Sequence, residues 1–225
     1  MPVLLLDAYH LGDPLFLTGL ARDLAARAGG AVLVHGSGER GERALESLGL
    51  LPEAVGGAWA TATDEEAAAV ERATRALSRE IVHELNEAGV SAVRALGADR
   101  GLLKRSEGGV VAGKTAWLQT LVGQGVVAVV ASLVAGADGG PLAEADPAAA
   151  AAALAGAFGE PVTVLLKKGL ASDGEAVSVA APPTRSALGD PDAAERLVAS
   201  GARVEAVPRG AIRGVGGAGA VRVSG

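Results

Sequence analysis

The stretch AVLVHGSGERGERALESLGL, residues 31–50, decides how the chain is read. Ala31–His35 is a short, nearly continuous apolar run, the pattern of a strand covered on both faces. Glu39–Leu48 spaces its apolar side chains as a helix does. Gly36-Ser37-Gly38 joins the two. The local unit is therefore strand, glycine loop, helix.

Working outward, the same alternation recurs. Val3–Leu6, Ser91–Leu96, Val126–Ala131, Pro161–Leu166 and Arg203–Val207 read as further buried strands. Pro14–Arg27, Asp64–Ala88, Thr115–Val122, Pro147–Phe158 and Pro191–Ser200 read as helices. Asp64 is expected to cap its helix, and Asp146-Pro147 and Asp190-Pro191 are cap-then-proline starts. Glycines such as Gly159 and Gly201 stop helices where a left-handed residue is needed. Gly101–Lys104 and Gly109–Val111 flank the polar turn Arg105-Ser106-Glu107 and read as a hairpin. A last short strand is expected at Ala220–Val223. The pattern predicts one domain of α/β class, a three-layer α/β/α sandwich with a mainly parallel sheet.

The 225 residues carry a formal net charge of −6, and only 2% are aromatic. An acidic chain without interleaved basic and aromatic residues does not suit a nucleic-acid partner. With no cysteine in the chain, disulfides and thiolate metal sites are excluded. His10, His35 and His83 show no ligand spacing, so no metal site is expected. The start MPVLLLD reads as a first strand, not a signal peptide. The apolar runs are shorter than the ~20 residues that cross a bilayer. A cytoplasmic protein without membrane contact is expected.

One motif competes with this reading. Gly108-x-x-x-x-Gly113-Lys114-Thr115 fits the phosphate-loop pattern G-x-x-x-x-G-K-[ST]. Such a loop needs a buried strand running into its glycines and a helix leaving them. Here the charged turn Lys104-Arg105-Ser106-Glu107 precedes Gly108, and Val110 and Val111 read better as a strand. The competing reading is a hairpin strand entering a helix start.

Residues 31–103, with VGGAWATATDEE and the long helix ending SREIVHELNEAGVSAVRALGADRGLL, resemble the amino-acid kinase family, in particular acetylglutamate kinases and acetylaminoadipate-type kinases. The resemblance continues through EADPAAAAAALAGAFGEPVTVLL to RVEAVPRGAIRGVGGAGAVRV. It implies an α/β/α sandwich whose 1–135 lobe binds an acyl-amino acid and whose shortened 136–225 lobe binds Mg²⁺-ATP. The γ-phosphoryl would pass to a carboxylate. It also implies a homodimer paired through the Asp64–Ala88 helix; Val70, Leu77, Ile81 and Leu85 form an apolar stripe at helical spacing there, which reads either as that pairing surface or as intramolecular core.

Motif by motif, the resemblance departs from the family. Lys-x-Gly-Gly is Asp7-Ala8-Tyr9-His10. His-Gly-Gly-Gly is His35-Gly36-Ser37-Gly38, a loop that still offers N–H groups to an anion. Gly-x-Arg-x-Thr is Gly57-Ala58-Trp59-Ala60-Thr61. Asn-x-Asn-Ala-Asp is Leu142-Ala143-Glu144-Ala145-Asp146. The late Gly-Met-x-x-Lys motif falls near Ala187 and Asp190. Asp146 is the surviving catalytic candidate, as an organiser of cations or as a helix cap. Gly36, Ser37, Gly38 and Trp59 are the substrate-binding candidates; Trp59 covers a ligand or packs in the core. His35 reads as structural. Two functions follow. One is a catalytically impaired binding or regulatory homologue of acylamino-acid kinases. The other is a divergent active kinase using Mg²⁺-ATP with Lys114, Lys167 or Lys168 as relocated cations.

Overall fold

The computed structural model describes residues 1–107, 109–136, 140–167, 187–208 and 212. The Ala220–Val223 strand, Lys168 and Gly108 lie outside the described residues. In chain order the elements are β1 (Val3–Leu6), α1 (Ala8–Leu11), α2 (Phe16–Ala25), β2 (Val32–His35), α3 (Glu39–Glu46), β3 (Ala54–Val55) and β4 (Ala58–Trp59). Then come α4 (Asp64–Glu87), β5 (Ala92–Leu96), β6 (Leu103–Ser106), β7 (Gly109–Ala112), α5 (Ala116–Gly123) and β8 (Val127–Ala131). The last are β9 (Leu133–Val134), β10 (Ala143–Glu144), α6 (Pro147–Phe158), β11 (Val162–Leu165), α7 (Pro191–Ala199) and β12 (Val204–Val207).

Six strands form one sheet in the order β12-β11-β1-β2-β8-β5, and every pairing in it is parallel. Strands β11 and β12 join β1, so the two expected lobes share a single sheet. The side chains of β1 divide between two cores, as period-2 alternation requires. Val3 and Leu5 belong to one core with Leu118 and Val122 of α5, Ala148, Ala150, Ala151 and Ala155 of α6 and Leu197 of α7. Leu4 and Leu6 belong to a second core with Phe16, Leu20 and Leu24 of α2 and Leu77, Ile81 and Leu85 of α4. The three-layer α/β/α sandwich is thereby realised.

Three expectations change, and two short ladders are added. Thr63, not Asp64, caps α4: its hydroxyl accepts the Glu66 N–H at 3.2 Å, and Glu66 Oε2 accepts the Ala62 N–H at 2.6 Å. Thr63 has the extended backbone of a cap, whereas Asp64 is already helical. The expected Pro14–Arg27 helix begins at Phe16, and a separate short helix, α1, precedes it because Asp7 accepts the His10 N–H at 2.9 Å. The Val70, Leu77, Ile81 and Leu85 stripe is 2% exposed or less within the chain. It is core, so it does not provide the dimer surface read from the sequence. Lastly, the β3–β4 and β9–β10 ladders, two residues per strand, were not expected. Such short strands carry too little pattern to read.

Candidate functional site

A cleft of about 540 Å³ opens at the carboxyl ends of β1 and β2, where open parallel sheets place their ligands. Its walls come from Asp7 after β1, Gly36 and Gly38 after β2, the Gly56–Gly57 turn between β3 and β4, Glu144 and Asp146 before α6, and the start of α7. A second cleft of about 640 Å³ lies on the other side of Trp59, roofed by the β6–β7 hairpin with Arg105. Trp59, Glu144 and Asp146 line both.

The structure brings the eroded motifs together. Asp7 is 7% exposed and faces the segment that carries the late motif. A Cβ on Gly189 would stand 2.5 Å from Asp7 Oδ2 and 2.6 Å from the His10 ring, so the two segments touch only because residue 189 is glycine. His10 Nδ1 donates to the Asp7 carboxylate at 2.9 Å, and Nε2 lies 3.2 Å from the Leu166 carbonyl. The backbone that would open as a glycine loop is instead the helical turn of α1. Asp190 caps α7 through the Ala193 N–H at 2.8 Å and lines the same cleft.

The loop after β2 is kept but spoken for. Gly38 holds φ +55° at the start of α3, a conformation that favours glycine. The Ser37 N–H donates to Glu144 Oε1. The Trp59 N–H donates to Glu144 Oε2 at 3.4 Å, and the Trp59 indole donates to the Gly38 carbonyl at 3.2 Å. The half-buried ring packs on Gly41 of α3, where a Cβ would lie 2.6 Å from it. Trp59 thus braces the glycine loop and still faces both clefts. Burial pushes the Glu144 carboxyl above the ordinary carboxylate range, and the neighbouring Asp146 adds to the rise.

Asp146 caps α6 by accepting the Ala148 N–H at 3.0 Å. It also accepts from Arg196 of α7, Nε to Oδ2 at 2.9 Å and Nη2 to Oδ1 at 3.3 Å. The helix-cap reading is realised, and the cation beside the carboxylate is an arginine. His35 is fully buried: its ring bridges the Gly36 carbonyl and the Ser78 hydroxyl at 2.8 Å each, tying β2 to α4. Burial pulls its pKa down to about 4. It is structural.

The P-loop reading fails on its donors. The Gly113 and Lys114 N–H groups donate to the Leu102 and Gly101 carbonyls at 2.7 and 2.9 Å, so neither faces a phosphate. Lys114 is exposed and lines neither cleft. Lys167 lies 5.3 Å from the Tyr9 ring centroid, as a cation over an aromatic face. Sequence reasoning missed Arg196, Arg105 and the seating of Glu144. It counted lysines, and Arg196 stands midway along α7 with no motif around it.

Solved structures show the same fold. Aspartate kinase from Synechocystis matches with a TM-score of 0.66 at 12% identity, covering 99% of this chain and 40% of that one. N-acetylglutamate synthase from Neisseria gonorrhoeae matches at 0.65 and 20%, covering 93% and 54%. Isopentenyl phosphate kinase from T. acidophilum matches at 0.61 and 15%, covering each chain fully. The architecture is that of the amino-acid kinases.

No family model matches the chain. Among curated proteins, acetylglutamate kinase from Roseiflexus sp. (strain RS-1) is 34% identical over 202 residues, 85% of this chain and 74% of the relative. Acetylglutamate kinase from Chloroflexus aurantiacus (strain ATCC 29366 / DSM 635 / J-10-fl) is 31% identical over 212 residues, 88% and 80%. The chain belongs to the acetylglutamate kinase family.

Proposed function

We propose that this chain is a member of the acetylglutamate kinase family that does not transfer phosphoryl groups to acylamino-acid carboxylates, and that it serves as a binding or regulatory homologue. One observation carries the reading. Among the described residues, the cleft at the carboxyl ends of β1 and β2 is lined by seven carboxylates (Asp7, Glu39, Glu42, Glu144, Asp146, Asp190 and Asp192) and one cation, Arg196. That guanidinium is already held by Asp146. Phosphoryl transfer between two anions depends on cations and N–H groups placed around the phosphates. The described residues do not fit Mg²⁺-ATP: the helical turn α1 follows Asp7 at the end of β1, and Glu144 holds the Ser37 N–H after β2.

The test is calorimetric titration of the purified chain with Mg²⁺-ATP and with N-acetylglutamate. No saturable heat up to millimolar concentrations of either is expected. Micromolar binding of both would overturn the proposal and favour a divergent active kinase with relocated cations. Among the described residues no helix is long and apolar enough to cross a membrane, and a cytoplasmic location is part of the proposal. So is pairing of two copies, which the family resemblance supports. Because the α4 stripe is buried inside the chain, the contact must use another surface. A monomer mass by light scattering at tens of micromolar protein would remove it.

A further inference from the structure

The Glu144 carboxylate rests on two backbone N–H groups from different parts of the chain. Ser37 follows β2, and Trp59 ends β4, 107 and 85 residues away in sequence. A third position is shaped by the same group. A Cβ on Gly36 would stand 2.9 Å from Glu144 Oε1 and 2.7 Å from Pro147, so only glycine lets the loop close on the carboxylate. Convergent backbone N–H groups beside a glycine are how a chain builds a seat for an anion.

Glu144 is half-buried and lines both clefts. Burial raises its carboxyl despite the two N–H donors, and Asp146 adds repulsion. Two convergent N–H donors suit a carboxylate whether it comes from this side chain or from solution.

We propose that the Ser37 and Trp59 amides form a carboxylate-binding seat which Glu144 fills from within the chain, shutting this end of the cleft to carboxylates from solution. The inference rests on the non-transferring reading above and deepens it, since it names the ligand class excluded and the residue that excludes it. Relieved of the Glu144 side chain, the seat takes a small carboxylate.

The probes are acetate and propionate, with chloride at matched ionic strength as control. Thermal unfolding is followed for the wild type, Glu144→Gln and Glu144→Ala. In Glu144→Ala the melting temperature is expected to rise saturably with either carboxylate. The rise should be about 3–5 °C at a tenfold excess over the dissociation constant. Wild type and Glu144→Gln should show no rise beyond the chloride control, because their seats are full. An Glu144→Ala response no larger than the control, or equal to that of the wild type, overturns the proposal.

Should Glu144→Ala not fold, the near-isosteric Glu144→Gln decides it by amide NMR at alkaline pH. Loss of the charged acceptor is expected to move both the Ser37 and the Trp59 amide protons upfield. If neither moves, there is no seat. The two readings can fail separately. Turnover of N-acetylglutamate by the wild type sinks the non-transferring reading. A missing carboxylate response without turnover sinks the seat alone.

Discussion

Arg196 holds Asp146 through two hydrogen bonds, at 2.9 and 3.3 Å, joining α7 to the N-terminus of α6. A guanidinium on a carboxylate in this way fixes direction as well as charge. The pair spans two elements 50 residues apart and forms part of the cleft wall. Arg196→Ala should therefore leave Asp146, 12% exposed in its side chain, with only the Ala148 N–H. Hydrogen bonds to charged groups contribute roughly 1.5–3 kcal/mol. The Arg196 side chain is 34% exposed, which puts the expected loss near the lower end. Urea unfolding measures it, and a loss below ~0.5 kcal/mol would mean that the pair contributes no more than an ordinary surface contact.

Gly57 sits against that pair. Its φ is +88°, and a Cβ there would overlap Asp146 Oδ1 and lie 2.6 Å from Arg196 Nη2. Gly57→Ala is expected to destabilise by about 1–3 kcal/mol, from backbone strain and displacement of the pair together. Removing the arginine makes room, so Gly57→Ala combined with Arg196→Ala should cost less than the sum of the two. Strict additivity would show that the turn does not press on the pair.

The sandwich was legible because its signals are long. Six apolar runs and five of the helix starts and stops stand in the sequence, and Asp146 and Asp190 cap where cap-then-proline predicts. The site was legible only in part. Asp7 and Asp190, which the resemblance matches to two separate motifs, both line one cleft. Glu144 was noted as a lost asparagine, but sequence could not show that its carboxylate reaches the Ser37 amide across 107 residues. Arg196 lies mid-helix at ordinary spacing, and only the packing of α7 on α6 brings it to Asp146. The Val70–Leu85 stripe was open between two readings, and burial within the chain decides for core. Helical spacing reveals an apolar face but not whether the core or a second copy covers it.

His35 sets a dependence on pH. Its ring is neutral, with one nitrogen donating to the Gly36 carbonyl and the other accepting from Ser78. The folded value of about 4 lies below the ordinary 6.5. Between these values the unfolded chain binds more protons, so stability falls as pH drops from about 6.5 to about 4, with a slope approaching ~1.4 kcal/mol per pH unit. Above 6.5 this contribution is constant. Glu144 acts with the opposite sign, since its raised value makes stability fall as pH rises above the ordinary carboxylate range. Urea unfolding of wild type and His35→Asn across pH 4–7 separates them. The acid-side slope should flatten in His35→Asn, and an unchanged slope would assign it to other groups.

Lys114 tests the motif that looked like a phosphate loop. The side chain is exposed at the hairpin–helix junction, and the neighbouring N–H groups are bonded to the Gly101 and Leu102 carbonyls. Lys114→Ala should change stability by less than ~0.5 kcal/mol, as surface substitutions do. It should also leave any nucleotide heat in calorimetry unaltered. Tight ATP binding by the wild type that the variant loses would restore a phosphate-loop role.

The last expectation is that the chain does not turn over N-acetylglutamate or acetylaminoadipate-type carboxylates with Mg²⁺-ATP. Asp7 and Asp190 stand in the cleft where the family resemblance calls for lysines, and Glu39, Glu42 and Asp192 add further negative charge around them. Two unit charges ~4 Å apart interact by roughly 4 kcal/mol at an effective dielectric of ~20. Exchanging a cation for an anion beside a triphosphate therefore shifts the local energy by several kcal/mol even after screening. Each ~1.4 kcal/mol in a barrier is about tenfold in rate. Among the described residues Arg196 is the one cation on the cleft wall, and Asp146 pairs with it. A coupled assay of ADP release, with a hydroxamate trap for the acyl phosphate, measures the outcome. Turnover near 1 s⁻¹, within the common enzyme range, that collapses in Arg196→Ala would show that this guanidinium has taken over the lysines' work and that the family's chemistry survives.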